Sequence, residues 1–324
     1  MNLLVTGGAG YIGSIVSDEL LRAGHSVIVY DNLSRGFRDA VPPGAKFIVG
    51  DISDRAALKQ LFSQHSFEAV LHFAAFAEVG ESMRLPELYF RQNSAATFIL
   101  LEAMLSAGVR KLVFSSTCAL YGEPEQIPIR ESDPLRPANP YGESKLLIER
   151  ALVWLNQIHG LRYASLRYFN AAGAASDRGE RHDPESHLIP NVLKAAIGER
   201  PAISVFGADY ATADGTCVRD YIHVLDLASA HILALEKLER EEKLIYNLGS
   251  GSGASVRNVI EVASRITGRK IPVTESPRRG GDPAVLVAST EKIRHELGWA
   301  PQHSSLEEII GSAWSFLNQR NRAA

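Results

Sequence analysis

The chain has 324 residues, a formal net charge of −3, 45% hydrophobic residues and 22% charged residues. This composition is ordinary for a soluble enzyme, and it excludes a general electrostatic attraction to nucleic acid or anionic membranes. No stretch is apolar over the roughly 18 residues that a membrane-spanning helix needs, and the N-terminus lacks the basic segment of a signal peptide. We therefore expect a cytoplasmic globular protein.

Metal and disulfide chemistry are not expected. The two cysteines are too few for a disulfide framework or a cysteine-based zinc site. The ten histidines show no ligand spacing. His182 and His187 share a polar, proline-containing loop, and we do not expect them to bind a metal.

Short β-branched runs alternate with longer helical patterns in the first half of the chain. Glycines 24, 108 and 160 follow predicted helices at the position where a helix ends in a left-handed turn. This alternation predicts an α/β fold with a Rossmann-like, doubly wound parallel sheet that is covered by helices on both faces. The predicted strands are 3–5, 27–30, 47–49, 69–71 and 112–114, and the predicted helices include 11–23 and 95–107.

A glycine-rich turn follows the first predicted strand and opens the first helix. Its glycines are Gly7, Gly10 and Gly13. In this context the first glycine allows a tight turn, the second lets a pyrophosphate approach the backbone, and the third packs helix on strand. The N-terminus of the helix then attracts the phosphates. The turn therefore predicts a dinucleotide site, and a glycine-rich turn without a ligand is the alternative.

Acidic and small residues end three further predicted strands. Asp31 lies where a carboxylate accepts hydrogen bonds from a ribose and repels a 2′-phosphate, which favours NAD over NADP. Arg35 is the competing signal. We expect Asp51 to meet the adenine amine and Ala74–Ala75 to admit the pyrophosphate. Alternatively, Asp51 caps the next helix and the alanines serve only packing.

Tyr141 and Lys145 lie four residues apart, which places both side chains on one face of a predicted helix. A neighbouring positive charge favours phenolate and lowers the pKa of a tyrosine, so that the phenol can act as a base near neutral pH. The pair is common by chance on helices. Together with the dinucleotide turn, it indicates hydride chemistry on a hydroxyl group.

The regular alternation of strand and helix patterns ends at about Asn170, and beyond it polar loops separate shorter elements. We predict an NAD-binding domain over 1–169, completed by segments within about 216–250, and a smaller, interleaved C-terminal domain over 170–324 that mainly binds substrate. The last helix is predicted to start at Ser305, because Glu308 three residues on completes a capping box. Residues 321–324 are expected to fray.

Several motifs together resemble the extended short-chain dehydrogenase/reductase family. They are the segments 7–13 (GGAGYIG), 31–34 (DNLS), 115–117 (SST), 141–145 (YGESK) and 167–173 (RYFNAAG). Three others resemble more narrowly its UDP-glucose 4-epimerase branch. They are 214–224 (DGTCVRDYIHV), 246–249 (YNLG) and 278–282 (RRGGD). The resemblance runs nearly from end to end.

This resemblance implies an isomerase that interconverts UDP-hexoses, namely UDP-glucose and UDP-galactose, by transient oxidation at C4 with tightly bound NAD. The flat 4-keto sugar would rotate and be reduced on its other face. Tyr141 would take the proton of the C4 hydroxyl, Thr117 would hydrogen-bond the reacting oxygen, and Lys145 would hold the nicotinamide ribose and bias the tyrosine toward phenolate.

The resemblance also completes the two sets of predicted binding residues. The cofactor-binding set is Gly7, Gly10, Tyr11, Ile12, Gly13, Asp31, Asn32, Ser34, Asp51, Ile52, Phe73, Ala74, Ala75, Asn93, Ser115, Tyr141, Lys145 and Phe169. The substrate-binding set is Thr117, Tyr141, Asn170, His187, Leu188, Val205, Phe206, Arg219, Tyr221, Arg279 and Asp282. Arg219 and Arg279 would hold the diphosphate, because a guanidinium group matches phosphate oxygens bidentately. Phe206 would pack against uracil.

Five positions depart from the patterns of related enzymes. Cys118–Ala119 stands where sugar-nucleotide dehydratases and decarboxylases carry acidic residues, which argues against both reactions. Ala77 replaces a lysine that some epimerases place near the cofactor phosphates, so that contact is not carried over. His187 replaces an asparagine near the diphosphate. Leu286, at the gate of the sugar pocket, is smaller than tyrosine and would admit N-acetylhexosamines.

Other functions remain open at this point. The first alternative is an epimerase that acts on a UDP-N-acetylhexosamine or a UDP-pentose. The second is a net dehydrogenase or reductase that acts on a nucleotide sugar. A noncatalytic NAD-binding regulator of the same fold is the third alternative. The resemblance implies a homodimer formed through the helices 95–107 and 141–157, without nucleic acid or membrane partners.

Overall fold

The computed structural model describes residues 1–279 and 282–323. The α-helices are α1 (Tyr11–Arg22), α2 (Arg55–Gln64), α3 (Val79–Ser82), α4 (Pro86–Tyr89), α5 (Ala96–Ser106), α6 (Pro140–His159), α7 (Leu188–Ala196), α8 (Val224–Lys237), α9 (Val256–Thr267), α10 (Glu291–Leu297) and α11 (Leu306–Ala323). Short 3₁₀ turns lie at Arg38–Ala40 and Cys118–Leu120, and a π-helical turn lies at Phe90–Ala95.

The strands are short and spread along the whole chain. They are β1 (Asn2–Thr6), β2 (Ser26–Asp31), β3 (Lys46–Val49), β4 (Ala69–His72), β5 (Lys111–Thr117), β6 (Arg162–Tyr168), β7 (Asn170–Ala172), β8 (Ala174–Ala175), β9 (Arg178–Gly179), β10 (Ile203–Phe206), β11 (Val218–His223), β12 (Lys243–Leu248), β13 (Gly253–Ser255), β14 (Val273–Ser276) and β15 (Val285–Leu286).

The main sheet confirms the predicted Rossmann-like fold. Among the described residues, seven strands follow the order β12-β6-β5-β4-β1-β2-β3, and β1 to β6 pair in parallel. Leu3, Leu4 and Val5 are consecutive on β1 and all have no exposed surface. Since neighbouring side chains on a strand point to opposite faces, both faces of the sheet are covered.

The chain divides into two compact units. The first contains Met1–Gly122, Pro134–Tyr168 and Ala228–Tyr246, and the second contains Glu123–Asp133, Phe169–Leu227 and the chain from Asn247 onward. The assignment of the first unit to the cofactor and of the second to the UDP-sugar stays a prediction.

The second unit is built on small sheets and three packed helices. β11 pairs with β7, β13 and β15, and β10 pairs with β14. Apolar faces of α7, α9 and α11 meet in one core, in which Val192, Val259 and Ile309 are fully buried. This packing holds the first turn of α7 and the end of β11, where predicted substrate residues lie.

Local signals in the sequence located several helix ends. Gly24, Gly108 and Gly160 all have positive φ angles, of 84°, 79° and 65°, as the helix-stop pattern requires. The backbone N–H of Glu308 donates to Ser305 Oγ at 3.2 Å, as predicted for the cap of α11. α11 continues to Ala323, and the predicted fraying from residue 321 stays a prediction. Among the described residues, none of the helices has the length and apolarity to cross a membrane.

Candidate active site

The glycine-rich turn after β1 is held by close backbone contacts. Gly7 has φ of 74°, and a Cβ there would lie 2.4 Å from the backbone nitrogen of Ala74. A Cβ on Gly13 would lie 2.3 Å from the carbonyl oxygen of Gly7. Gly10 is less crowded, since a Cβ there would meet only the carbonyl oxygen of Gly7, at 3.2 Å. Gly10 is also the N-cap residue of α1, and this cap makes no side-chain hydrogen bond. The turn therefore fits a phosphate at the start of α1.

The order of the strands places this turn at the edge where ligands bind in such folds. β1 lies between β2 and β4, so the connections from β1 and from β4 leave in opposite directions. The N–H groups of Phe73 and Ala74 both donate to the carbonyl of Thr6, at 2.8 and 3.1 Å. A crevice at the carboxyl ends of two such strands is the usual dinucleotide position.

Asp31 ties the glycine-rich turn to the end of β2. Its carboxylate accepts from the backbone N–H of Ala9 at 3.0 Å and of Leu33 at 2.8 Å. Burial raises the pKa of Asp31, against the lowering effect of these two N–H groups. Each carboxylate oxygen keeps a lone pair for a ribose hydroxyl. Arg35 donates to both oxygens of Glu81, at 2.9 and 3.1 Å, so its guanidinium is already engaged.

The adenine side of the predicted cofactor site is a chain of hydrogen bonds. Asn32 Nδ2 donates to Asp51 Oδ2 at 2.7 Å, and Asn32 Oδ1 accepts from the N–H of Ser34 at 2.9 Å. The other oxygen of Asp51 accepts from the N–H of Ser53 at 2.7 Å. The alternative role of Asp51 as a helix cap is wrong, because Asp54 caps α2.

Thr117, Tyr141 and Lys145 lie together in the first unit. Thr117 ends β5, and its hydroxyl is hydrogen-bonded with the phenol of Tyr141. The close approach is possible because Gly142 has no side chain: a Cβ there would lie 2.5 Å from the carbonyl oxygen of Ala119. Lys145 Nζ donates to the carbonyl of Ser115 at 2.8 Å, also on β5.

The electrostatics of this group differ from the sequence-based expectation. The lysine was expected to lower the pKa of Tyr141, but burial raises it to about 12, and the Thr117 hydrogen bond only partly opposes this. Burial also lowers the pKa of Lys145 to about 7, since its side chain is 2% exposed. The protein's own groups therefore do not make Tyr141 a base at neutral pH, and that expectation is wrong for the protein alone.

A buried hydrogen-bond network, which the sequence analysis missed, runs from β4 to α6. The ring of His72 lies between Thr6 Oγ1 at 2.6 Å and Thr97 Oγ1 at 2.8 Å. Thr97 donates to the carbonyl of Asn93, and Asn93 Nδ2 donates to Ser144 Oγ at 3.1 Å. Ser144 in turn donates to the carbonyl of the predicted catalytic tyrosine. The sequence signal that could have located this network is His72, a histidine at the end of a buried strand.

A second missed feature is a buried ion pair beside β5 and β6. Arg167 and Glu149 are joined by two hydrogen bonds, of 3.1 and 2.7 Å, and both side chains are less than a tenth exposed. Glu149 also accepts from Ser116 Oγ at 2.6 Å, and Arg167 donates to the hydroxyl of Tyr121 at 2.7 Å. These bonds fix α6 against β6 and against β5, the strand that carries Ser115 and Thr117.

In the second unit, the two predicted diphosphate arginines contact other residues of the predicted substrate-binding set. Arg219 on β11 forms an ion pair with Asp282, and its guanidinium also donates to the carbonyl of Val218 at 2.8 Å. The guanidinium carbon of Arg279 lies 4.0 Å from the centre of the Phe206 ring. Leu286 is the register partner of Arg219. Gly280 and Gly281 of the predicted motif lie outside the described residues.

The other predicted residues occupy fixed positions in their own elements. His187 precedes α7, and its Nδ1 lies 2.7 Å from Glu180 and 3.1 Å from Glu185, so its predicted diphosphate contact stays a prediction. The remaining positions are Tyr11 and Ile12 in the first turn of α1, Ile52 and Ala75 in loops, Phe169 before β7, Asn170 opposite Tyr221 in the β7–β11 register, Leu188 at the start of α7 and Val205 in β10.

Comparison with known proteins gives consistent matches. Residues 3–249 match the NAD dependent epimerase/dehydratase family. UDP-glucose 4-epimerase of Streptomyces lividans is 56% identical over 316 residues, which cover 97% of this chain and 95% of that relative. The structure of UDP-glucose 4-epimerase from Brucella ovis in complex with NAD has a TM-score of 0.94 at 46% identity, and covers 97% of this chain and 98% of that one. The enzyme from Bifidobacterium longum in complex with NAD⁺ and UDP has a TM-score of 0.95 at 36% identity, with complete coverage (100%) of both chains.

Proposed function

Because this chain belongs to the NAD dependent epimerase/dehydratase family, we propose that it interconverts UDP-glucose and UDP-galactose by epimerisation at C4. The matches confirm the predicted family, the isomerase class and NAD as the cofactor. The observation that carries the proposal is the grouping of Thr117, Tyr141 and Lys145, in which Thr117 bonds the phenol and Lys145 is held by β5.

The residues of the first unit fit NAD. The turn formed by Gly7, Gly10 and Gly13 leaves the start of α1 open for a pyrophosphate, and Asp31 retains acceptor capacity for a ribose. Bound NAD⁺ would supply reversible hydride transfer at C4, so that the hydride removed from the sugar would return to the same sugar. The engagement of Arg35 by Glu81 supports NAD over NADP, because a guanidinium held by a carboxylate is less available to a 2′-phosphate.

Tyr141 accepts the proton of the C4 hydroxyl and later gives it back. A phenol whose pKa is about 12 is protonated at pH 7, so the base form requires added positive charge. The pyridinium charge of NAD⁺ and a protonated Lys145 both act in that direction. The hydroxyl of Thr117, which is hydrogen-bonded with the Tyr141 phenol, also bonds the reacting oxygen of the bound sugar and limits its movement. Burial of Thr117 and Lys145 keeps water from competing for the proton.

Residues of the second unit bind the UDP part of the substrate. Arg219 exchanges its ion pair with Asp282 for the diphosphate, and the freed carboxylate accepts from the uridine ribose. Arg279 and Phe206 supply a second guanidinium and a ring for uracil. The diphosphate linkage is held at its uridine end, which leaves the hexose free to rotate. C4 epimerisation requires this rotation, because the 4-keto sugar must present its other face for reduction.

The direct test is incubation with a panel of UDP-sugars, followed by chromatographic separation of the C4 epimers. We expect rapid interconversion of UDP-glucose and UDP-galactose without added cofactor. Release of NADH in step with substrate loss would favour the alternative of a net dehydrogenase. Lack of turnover by a sample that keeps bound NAD would favour a regulator and contradict the proposal.

The size of residue 286 favours a second substrate class. Leu286 is half-buried next to Arg219 in the β11–β15 register, and its side chain is smaller than the tyrosine found at the gate of related sugar pockets. Substantial turnover of UDP-N-acetylgalactosamine in the same panel would support the wider specificity, and UDP-pentoses are the other class to include. Strict preference for UDP-galactose would refute this wider specificity.

The proposal includes a cytoplasmic homodimer. Large apolar side chains are exposed on α5 and α6, with Phe98 41%, Trp154 64% and Ile158 67% exposed. Exposed apolar surface of this kind favours association. Light scattering coupled to gel filtration tests the dimer: we expect twice the chain mass for the wild type and the monomer mass for Trp154→Glu. A monomeric wild type would refute the dimer without affecting the chemistry.

A further inference from the structure

Four potential metal ligands converge in the segment that precedes α7. They are Glu180, His182, Glu185 and His187, and one ligand atom from each lies within 4.8 Å of all the others. The segment belongs to the second unit and contains none of the catalytic residues proposed above, but His187 is also a member of the predicted substrate-binding set. No metal was expected here from the sequence, because the histidines show no ligand spacing and His182 and His187 share a polar, proline-containing loop. The convergence arises from the fold of the loop.

The contacts within this Glu/His cluster point to a common centre. His187 Nδ1 lies 2.7 Å from Glu180 Oε1 and 3.1 Å from Glu185 Oε1, and His182 Nδ1 lies 3.0 Å from the same oxygen of Glu180. A ring nitrogen carries at most one proton, so one nitrogen cannot make two full hydrogen bonds. Ligands bound at about 2.0 to 2.2 Å from a tetrahedral zinc ion lie roughly 3.3 to 3.6 Å from each other. The observed spacings, from 2.7 Å to at most 4.8 Å, bracket these values, so small side-chain movements bring the four groups into such a ligand set.

The charge of the cluster also favours a bound cation. The side chains of Glu180 and Glu185 are only 8% and 3% exposed, and two neighbouring buried carboxylates are costly without positive charge close by. A divalent ion balances both carboxylates and accepts the lone pairs of two neutral imidazoles. Protonated histidines would balance the charge in another way, and the experiment below separates these two cases.

We propose that Glu180, His182, Glu185 and His187 bind one divalent transition-metal ion, for which Zn²⁺ is the best match. Two imidazole nitrogens and two carboxylate oxygens suit zinc in a four-coordinate site. Magnesium and calcium prefer sets made of oxygen alone. Four protein ligands leave no open position, so the ion is structural: it crosslinks the loop and fixes the start of α7.

The hydrogen bonds around the cluster support a structural role. Glu185 Oε1 accepts from the backbone N–H of His187 at 2.9 Å, and the carbonyl of Glu185 accepts from Asn191 Nδ2 on α7 at 3.2 Å. These bonds orient a ligating carboxylate and join it to the helix, as is usual around bound metals. The proposal does not depend on the epimerase activity, because it is tested by binding in the absence of UDP-sugar.

The test uses the full-length protein without a polyhistidine tag, stripped with EDTA and dialysed. We expect Zn²⁺ titration by calorimetry to show one site per chain, and elemental analysis to give one equivalent after desalting. A Zn²⁺ concentration of 100 times Kd should raise the thermal midpoint by roughly 5 °C. His182→Ala and Glu185→Gln should each weaken binding at least 100-fold. His295→Ala, an exposed histidine outside the cluster, is the matched control and should bind normally.

Two results would overturn the proposal. One is the lack of saturable one-to-one binding in the wild type, which would leave the cluster as hydrogen-bonded pairs with protons in place of the ion. The other is unchanged affinity in His182→Ala and Glu185→Gln. If both variants fail to fold, the visible absorption of the Co²⁺-substituted wild type decides: intense bands of four-coordinate Co²⁺ support the site, and the weak bands of aqueous Co²⁺ refute it.

Discussion

The two units prepare their predicted ligand residues in different ways. In the first unit, the key positions are set by backbone and burial: Gly7 and Gly13 cannot carry a Cβ, and Asp31 is held by two N–H groups. In the second unit, Arg219 and Asp282 are partly buried side chains that are held by their ion pair with each other. Under the proposed function, the cofactor side is therefore preformed, whereas the substrate side exchanges partners when its ligand binds.

This difference predicts how substitutions divide between kinetic parameters. Changes near Tyr141 should act on kcat, because that residue contacts the reacting oxygen in the proposed mechanism. Changes near Arg219 should act mainly on KM, because diphosphate binding is the same in the ground state and in the transition state. The predictions that follow test this contrast, starting with the largest effect.

Removal of one phenol oxygen should have the largest effect. Tyr141→Phe should lower kcat by about 10²- to 10⁴-fold, the usual contribution of a general base. NAD and UDP binding should remain close to wild type, as measured by bound-cofactor absorbance and by calorimetry with UDP. Normal turnover in this variant would refute the assignment of Tyr141.

Substitution of the diphosphate arginine should change KM. Arg219→Ala should raise KM for UDP-galactose by about 10- to 100-fold with a small change in kcat, since a charge-assisted hydrogen bond contributes about 1.5 to 3 kcal/mol. Asp282→Asn is the matched control, because it removes the ion pair and keeps the arginine. The KM of Asp282→Asn should rise less than that of Arg219→Ala. An equal fall in kcat for both variants would contradict the division between the two units.

The buried lysine should make stability depend on pH. The folded pKa of Lys145 is about 7 and the unfolded value is 10.5, so between these values the unfolded chain binds more protons. The wild-type free energy of unfolding should therefore gain a contribution as pH rises from about 7 toward 10.5. Lys145→Met lacks this contribution. Urea unfolding at several pH values should show that the difference in unfolding free energy between wild type and variant grows with pH. A difference that stays constant with pH would refute this contribution of Lys145.

The smallest predicted effect concerns the choice of cofactor. Glu81→Gln should weaken its hold on Arg35 and increase NADP binding less than tenfold, since Asp31 still repels a 2′-phosphate. Fluorescence titration of cofactor-stripped protein measures this change. The double variant Arg35→Ala with Glu81→Gln is the control and should show no gain. A gain in that variant would mean that Arg35 is not the group responsible.

Local signals were sufficient for the frame of the first unit. The β-branched runs located β1 to β5, and Gly24, Gly108 and Gly160 located helix ends, because strand burial and left-handed turns depend on adjacent residues. The family resemblance supplied Thr117, which no spacing rule identifies.

Features that depend on distant contacts could not be predicted. The ion pair of Arg219 and Asp282 joins positions 63 residues apart, and the Glu/His cluster depends on how its loop folds. The pKa of Tyr141 was predicted in the wrong direction because the spacing to Lys145 says nothing about burial, which is the larger effect.

The central claim is that the hydrogen removed from C4 returns to the same sugar. It is tested most directly by incubating the enzyme with UDP-glucose deuterated at C4, mixed with unlabelled UDP-galactose in ordinary water. Mass spectrometry and NMR of the separated epimers should show that deuterium stays at C4 of the UDP-galactose formed, with no NADH released. Loss of the label to water, or its accumulation in released NADH, would contradict the proposed epimerisation.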